Sequence, residues 1–450
     1  MNHSLILARY LCLGLPLALL VLATAGWRGR PPLPAALLAF LAGLVGIAAL
    51  HELATAAGWY EFAPVAGAFR GMPVDVWLGW AVLWGPVPVL LWRWLPVPVA
   101  LITLLWIDLI GMPWLADTPL LRLGTHWWVG ELVGLSAVAL PAQLLGRWTT
   151  RRQHLRARAA LQFAIFAGLL VWLIPTVAFT LGDGSWQALA GLPLPWLVLL
   201  AQAGLLTAVP GLAAVREFVV RGHGTPYPWD PPHRLVTTGP YAHLANPMQF
   251  SAVGLLLLLA TATGSLTLTV AAALGVAFSA AVAGPHERDQ LHRRLGPSWQ
   301  AYRAEVRDWW PRWRPYRPVP ATLWLDLACP TCHAIGRFLL ARAPAGLRIT
   351  PAARHMLPLR RARYEAADGT VADGVAAVGH GLGHLPLGWA YLGWLLCLPG
   401  ARTLAQVVTD ALLAPPHRPG APAPEGDRCR RFPPTARPSR TPGNGCWMGR

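Results

Sequence analysis

Two groups of residues in this chain have the types and spacing that chemistry requires. The first is the pair Cys329 and Cys332, in the stretch LWLDLACPTCHAIGRFL. Two thiols at this spacing can close a disulfide and be reduced again, and a thiol at the beginning of a helix is favoured as thiolate. Zinc binding is the alternative for a CxxC pair, but it needs two more ligands, and His333, His355 and Cys397 lack a suitable spacing. The pattern therefore favours a redox dithiol without a bound metal.

The second group is a polar strip at the mouth of two apolar runs, LVTTGPYAHLANPMQFSAVG. Gly239 and Pro240 predict a turn in which the backbone can approach a ligand closely. Tyr241 can stack on a planar base, and Glu287, which follows the apolar runs, can accept hydrogen bonds from an amine or from hydroxyl groups. The alternatives are an interfacial turn with an aromatic anchor, and a glutamate that faces solvent near Arg294.

The composition indicates that membrane helices must position these groups. The chain has 450 residues, of which 55% are hydrophobic and 13% charged, and its mean hydropathy is +0.43. A soluble protein carries about 25% charged residues, and each membrane crossing needs about 20 apolar residues. Run lengths predict about nine spans, at 5–27, 33–57, 73–93, 95–116, 128–146, 159–181, 187–214, 247–264 and 266–284.

The formal net charge of +17 is concentrated in the loop 147–158, in the segment 287–317 and in the tail. Nucleic-acid binding is one interpretation. Cytoplasmic loops of membrane proteins are rich in arginine, however, and that rule explains the charge without nucleic acid. It places the loop 147–158 in the cytoplasm, so alternation predicts an exterior N-terminus and a cytoplasmic C-terminal half. We expect an integral protein of a bacterial inner membrane, in contact with lipid and not with nucleic acid.

The chain divides into four parts. They are membrane helices of no predicted role (1–150), a membrane domain with the polar strip (151–318), a small α/β domain with the dithiol (319–414) and a tail expected to be disordered (415–450). In the first part, Asp108 lies near membrane depth, where an acid is a functional candidate, whereas Glu52 is better explained by a place at the exterior interface. The predicted fold class is mainly α, a polytopic helical bundle with a small C-terminal α/β domain.

The strip, Glu287 and the later stretch LGPSWQAYRAEVRDWWPR resemble the isoprenylcysteine carboxyl methyltransferase family and its phospholipid methyltransferase relatives, over roughly residues 160–316. Members share LVTxGPYrYxRNPmYxG and, later, EExxLxxxFGxxYxxYxxxVxxWxP. The resemblance implies S-adenosylmethionine-dependent methylation of a lipophilic acceptor, an isoprenoid or a lipid, that enters from the bilayer. The cofactor-binding positions that it implies are Gly239, Pro240, Tyr241, Asn246, Pro247, Glu287 and Tyr302.

The chain departs from that family pattern at three positions. Ala245 stands where relatives often carry Arg, Gln249 stands where they carry Tyr, and Arg288 replaces the second Glu of an acidic pair. If the absent Arg orients an acidic acceptor, the acceptor here is instead a hydroxyl, an amine or a polyisoprenoid-derived group. His233 and His243 are near enough in sequence to supply a base, although loop histidines at an interface are more often structural.

The dithiol stretch resembles the DCC family of thioredoxin-like proteins, over roughly residues 321–418. Asp326 and both cysteines match the family's DGxCxxC, while Leu327 replaces its Gly. The resemblance implies thiol–disulfide exchange, with Cys329 as the attacking thiolate and Cys332 as its partner. An inactive, degenerate domain is the alternative.

Three functions follow from these patterns. The first is an S-adenosylmethionine-dependent membrane methyltransferase with an appended thiol–disulfide domain. The second is a membrane-anchored thiol–disulfide oxidoreductase on a non-catalytic scaffold. The third is an NADPH-dependent membrane reductase, because steroid-reductase-like enzymes have similar C-terminal helices. The sequence predicts neither an oligomeric state nor the identity of the acceptor.

Overall fold

A computed structural model describes residues 3–92, 94–230 and 232–416, apart from the side chains of Ala283, His286, Glu287 and Gln290. Over this part of the chain the protein is mainly helical, with short strands in its N-terminal half and one four-stranded sheet in its C-terminal part. The tail predicted for 415–450 lies outside the described residues, except for Pro415 and Pro416.

Apolar helices follow one another through the first two thirds of the chain. They are α1 (His3–Ala25), α2 (Leu33–Ala57), α3 (Val74–Leu90), α4 (Val97–Asp117), α5 (Trp127–Arg151), α6 (Leu155–Leu181), α7 (Leu194–Gly222), α8 (Pro247–Thr263) and α9 (Leu266–Val282). Among the described residues, six helices are long and apolar enough to cross a membrane, which leaves α3, α8 and α9 as shorter apolar helices. Each of the helices overlaps a predicted span, so the structure supports an integral membrane protein.

A small residue brings the first helices into close contact. At Gly79 of α3, an added Cβ would lie 1.9 Å from the carbonyl oxygen of Cys12 in α1. Lipid tails give helices no hydrophobic reason to associate, so membrane helices depend on such close packing. The core around this contact is built from buried side chains of several helices, including Ile47, Trp84 and Met112.

Strand pairing fixes the directions of α2, α3 and α4. Between α2 and α3 lie β1 (Tyr60–Phe62) and a hairpin of β2 (Ala68–Phe69) and β3 (Met72–Pro73). The strand β1 pairs with β4 (Leu121–Leu123), which follows α4, so α2 and α4 end at the same face. Val89 near the end of α3 packs with Ala35 and Ala39 near the start of α2. Helix α3 therefore runs back along nearly the whole length of α2.

The two N-terminal acids have different surroundings. Glu52 is exposed near the end of α2 and forms an ion pair with Arg70, which agrees with the predicted interfacial position. Asp108 is buried in α4, and its Oδ2 has no hydrogen-bond partner among the described residues. It lines a mostly apolar cavity of about 460 Å³ beside Trp80 and Trp114. Asp108 thus remains a functional candidate, because a buried acid at such a position is costly.

The helices α8 and α9 form an antiparallel hairpin whose tip is fixed by Asp183. Its carboxylate accepts hydrogen bonds from the backbone N–H groups of Thr267 (2.9 Å) and Leu266 (2.7 Å), and these donors hold the pKa of Asp183 well below its ordinary value. Asp183 stands in the loop between α6 and α7, so the tip lies at the face where α7 begins. Near the other end of the hairpin, Ser251 Oγ accepts a hydrogen bond from the backbone N–H of Gly211 in α7 (2.8 Å).

The chain continues through α10 (Gly284–Leu295) and α11 (Pro297–Glu305) into a sheet. Its strands are β5 (Ala321–Leu325), β6 (Leu347–Pro351), β7 (Arg363–Ala366) and β8 (Val371–Asp373), in the order β6-β5-β7-β8. Strands β5 and β6 are parallel and the other pairs antiparallel. Helix α12 (Pro330–Leu340) makes the crossover from β5 to β6. The sequence predicts a short strand in LWLDLA and a helix in HAIGRFLLAR, and both are present as β5 and α12.

The C-terminal part rests on the end of α7. Helices α13 (Val375–Leu382), α14 (Leu387–Cys397) and α15 (Pro399–Val408) follow the sheet. Ala390 and Trp394 of α14 pack against Val209 and Ala213 of α7 in one buried apolar cluster. This contact joins the dithiol domain to the membrane helices close to the polar strip.

Candidate functional sites

The dithiol lies at the start of α12. Cys329 is the N-cap residue of this helix, and Pro330, whose fixed φ suits the first helical position, follows it. The backbone N–H of His333 donates to the carbonyl oxygen of Cys329 (2.9 Å), which closes the first turn. Both cysteines are half-buried and neither is in a disulfide. The helix therefore presents two reduced thiols at its N-terminal end.

A cavity of about 650 Å³ opens at the two thiols. Its lining is mostly apolar and includes Ile335, Val378 and Leu396, and Leu413 lies on its far side. The Thr331 hydroxyl donates to the carbonyl oxygen of Leu413 (3.0 Å), so the chain beyond α15 is tied over the helix start. A cavity of this size and character fits the apolar part of a small molecule or a peptide side chain.

The surroundings of Cys332 determine its protonation state. Burial, and after it the neighbouring Cys329, raise the pKa of Cys332 to about 12. Cys332 is therefore a thiol at neutral pH and can donate a hydrogen bond to Cys329. That Cys329 is the attacking sulfur stays a prediction from the resemblance.

Zinc binding is the alternative use of the two cysteines. The described part of the chain has no cluster of side chains that could hold a zinc ion. No group of three or more His, Cys, Asp or Glu side chains converges there. His355 is bonded to Glu365 (3.2 Å), and Cys397 is buried with its Sγ 3.9 Å from the carbonyl oxygen of Ala376. Two of the three further ligands considered, His355 and Cys397, are thus engaged elsewhere.

The polar strip begins with a tight turn, Gly239–Ala242. Gly239 has φ +59°, and a Cβ added there would lie 2.7 Å from Glu217 Cγ. Tyr241 is buried, and its ring stacks on Phe218 of α7 with 5.1 Å between the centroids. The predicted turn is present, but the tyrosine packs against protein.

The two sequence blocks of the methyltransferase resemblance lie against each other. The Tyr302 hydroxyl donates to the carbonyl oxygen of Tyr241 (2.9 Å), and Asn246 Nδ2 donates to Asp308 Oδ1 (3.1 Å). The backbone N–H of Ala245 also donates to the carbonyl oxygen of Arg307 (2.9 Å). Pro247 is the first residue of α8. The strip and the segment after α10 therefore form one packed unit.

The backbone of Glu287 lies in α10, and its side chain lies outside the described residues. The Ser279 hydroxyl near the end of α9 donates to Gln249 of α8. Together with the bond from Tyr302 to Tyr241, this contact ties the segment 279–302 to the strip at both ends. Glu287 stands inside that segment, about 12 Å along the helix from Ser279 at 1.5 Å per residue.

Sequence reasoning missed Glu217, the acid that touches the turn. Its side chain is 4% exposed, and it accepts hydrogen bonds from Thr238 (2.5 Å), Arg216 (2.8 Å) and Arg221 (2.7 Å). A signal was available, since an acid near the end of an apolar run with an arginine four residues later predicts a helical ion pair. Glu217 fixes the conformation of the strip from the α7 side.

His243 was a candidate base, and its position is structural. Its Nδ1 is 2.9 Å from the carbonyl oxygen of Arg312, and its ring packs edge-on against Trp394. Burial lowers the pKa of His243 to about 4. The ring is therefore neutral at physiological pH and serves the contact between the strip and α14.

Around Gly239, Pro240 and Tyr241 the structure leaves no room for an adenosyl cofactor, whereas Leu235–Thr238 at the start of the strip border a larger cleft. The Tyr241 carbonyl, the Asn246 amide and the Tyr302 hydroxyl are bonded to protein. The space against Gly239 and Pro240 is about 20 Å³, far below the several hundred Å³ that a ligand of this size occupies.

Comparisons with known proteins give no relative for this chain. No family model matches it, and neither a curated protein nor a solved structure gave a match.

Proposed function

We propose that this protein is a membrane-anchored thiol–disulfide oxidoreductase that acts through Cys329 and Cys332. The supporting observation is the pair of free cysteines at the start of α12, open to a 650 Å³ mostly apolar cavity. The parallel β5–α12–β6 unit also supports the proposal, because a CxxC at a βαβ crossover is typical of thioredoxin-like domains. The membrane helices hold this domain at the bilayer surface.

The exchange needs no group beyond the two cysteines and a substrate disulfide. The Cys329 thiolate attacks one substrate sulfur, forms a mixed disulfide and expels the other sulfur as a thiolate. Cys332 then loses its proton and attacks Cys329 Sγ, which releases the second substrate sulfur. Two electrons pass to the substrate, and the protein is left with a Cys329–Cys332 disulfide. The high pKa of Cys332 keeps it protonated until the mixed disulfide has formed.

The test is oxidation by oxidised glutathione of the purified full chain, in a background of Cys429→Ser and Cys446→Ser that removes two further thiols, followed by intact mass. The wild type is expected to lose two hydrogen atoms and to keep no glutathione. Cys332→Ser should stop with one glutathione bound, since nothing resolves the mixed disulfide, and Cys329→Ser should react at least about tenfold more slowly because the attacking sulfur is lost. Cys12→Ser, in α1, is the matched control and should behave as wild type. Wild type and Cys332→Ser giving the same product would contradict the proposal.

Methyl transfer from S-adenosylmethionine to a lipophilic acceptor is a second candidate function. The observation that favours it is the segment 279–302, which carries Glu287 and is tied to the strip at both ends. The Tyr241 carbonyl, the Asn246 amide nitrogen and the Tyr302 hydroxyl are bonded to protein, so the candidate depends on the face of α10 that carries Glu287. The role that remains for this chain is to orient donor and acceptor and to exclude water.

Calorimetric titration of the detergent-purified protein with S-adenosylmethionine tests this candidate. Glu287→Gln is expected to weaken binding about tenfold or more, because a carboxylate that accepts charge-assisted hydrogen bonds is lost. Asp289→Asn is the matched control, since Asp289 is exposed on the same helix. Absence of saturable binding to the wild type would rule methyl transfer out, and saturable binding of NADPH in the same cell would favour a reductase instead.

A further inference from the structure

A second cleft, of about 990 Å³, lies between the membrane helices and the C-terminal domain. Arg216 and Arg221 at the end of α7 line one wall, together with Arg234 from the segment before the strip. Arg361 and Arg402 line the opposite wall. The cleft has no part in the thiol exchange, although Arg361 and Gln406 also border the dithiol cavity.

The positive charges of the arginines at the end of α7 are neutralised by neighbouring carboxylates. Arg216 and Arg221 share the buried carboxylate of Glu217, and Arg221 also reaches Asp368 in the turn between β7 and β8 (3.2 Å). Two guanidinium groups and two carboxylates therefore meet in this group, with the half-buried Arg317 close to them. These ion pairs connect the end of α7 to the C-terminal domain.

The charges on the opposite wall are partly balanced. Arg361 is paired with Asp410 (2.5 Å), and Asp373, the other acid that lines the cleft, is bonded to Arg363 (3.2 Å). Two guanidinium groups of the lining, one from each wall, have no acidic partner in the part of the chain that the structure describes. They are Arg234 and Arg402.

We propose that this cleft binds a phosphate monoester, with Arg234 and Arg402 as its counter-charges. A phosphate monoester carries about −1.5 to −2 charges at pH 7, which matches two guanidinium groups. The planar fork of arginine donates two parallel hydrogen bonds to phosphate oxygens. The cleft is far larger than a phosphate ion, so the ligand has an organic part as well.

The position of the cleft allows two sources of this chemistry. Its first wall is the last turns of α7, a helix able to cross a membrane, so a lipid headgroup could enter while its chains stay in the bilayer. A soluble phosphate monoester could enter from the aqueous side. Either ligand would bridge the two domains and couple the dithiol domain to the membrane helices.

The experiment compares one soluble and one lipid probe on the full chain. Glycerol 3-phosphate is titrated calorimetrically into protein in detergent, and phosphatidic acid is tested by the shift in melting temperature of protein in nanodiscs with and without that lipid. Arg234→Gln and Arg402→Gln are each expected to weaken the response about tenfold, because one charge-assisted contact is lost. Arg348→Gln is the matched control, since Arg348 is an exposed arginine on β6, away from the cleft.

Each outcome decides the proposal. Saturable glycerol 3-phosphate binding that both cleft variants weaken supports it and indicates a soluble ligand. A response to phosphatidic acid alone, weakened by the same variants, supports it and indicates a lipid headgroup. No response to either probe, or equal weakening in Arg348→Gln, would overturn it. Unchanged melting temperatures without ligand show that the variants fold, and Arg402→Lys, which keeps the charge, should retain part of the binding.

Discussion

Gly239 is the residue on which the polar strip depends. It has φ +59°, a conformation that costs an L-residue about 1–2 kcal/mol. Its missing Cβ also leaves room for Glu217 Cγ, which would otherwise lie at 2.7 Å. Backbone conformation and close packing thus both require glycine at this position.

Gly239→Ala is therefore expected to lower the free energy of unfolding by about 2–4 kcal/mol, from backbone strain plus overpacking. Gly264→Ala separates the two effects. Gly264 has φ +65°, but nothing lies within 4 Å of an added Cβ, so only the backbone strain of about 1–2 kcal/mol is expected. Equal destabilisation of the two variants, measured by denaturant unfolding in detergent, would show that contact with Glu217 contributes nothing.

Local patterns predicted some of the site residues and could not predict others. Cys329 and Cys332 are close in sequence, and a strand before and a helix after them sufficed to place them at a helix start. The contact of Glu217 with Thr238 and Gly239 joins residues about 20 positions apart. This contact depends on how the chain folds back against α7, and a local sequence pattern does not predict that.

At the scale of elements, the apolar runs located the helices well because length and hydrophobicity alone determine a membrane helix. The seventh span shows where this fails. It was predicted at 187–214, whereas α7 is Leu194–Gly222. Gly191 and Pro193 separate a short helix, Trp186–Ala190, from its start. At its end, the pairing of Glu217 with Arg221 continues the helix beyond the apolar run.

The C-terminal sheet was also predicted only in part, because tertiary contacts stabilise some of its strands. The strand β5 alternates buried and half-buried residues and was visible in the sequence. The short strands β7 and β8 are stabilised by their antiparallel partners, and their own residues include Arg363, Glu365 and Asp373. Side-chain hydrogen bonds between these residues and tertiary pairing outweigh their weak strand propensity.

At the scale of the whole molecule, the number of crossings decides on which side the dithiol lies. In the part of the chain that the structure describes, six helices are long enough to cross, and α3 runs back along nearly the full length of α2. The hairpin of α8 and α9 extends to the face where α7 begins, and Asp183 caps its tip there. Because the chain returns from that tip, the hairpin adds either two crossings or none. The six long helices and α3 make seven crossings, and the hairpin leaves that number odd whether it adds two crossings or none. We therefore predict that the two termini lie on opposite sides of the membrane.

Reporter fusions test this prediction. Alkaline phosphatase, which is active only outside the cytoplasm, is expected to be active at the N-terminus and in the loop 183–185, and inactive in the loop 152–154 and at the C-terminus. The two loops are the matched pair, because α6 alone separates them. Activity of the fusion at both termini, or at neither, would mean an even number of crossings. A cytoplasmic C-terminus would place Cys329 and Cys332 in a reducing compartment, where a dithiol is used for catalysis and not as a permanent structural disulfide.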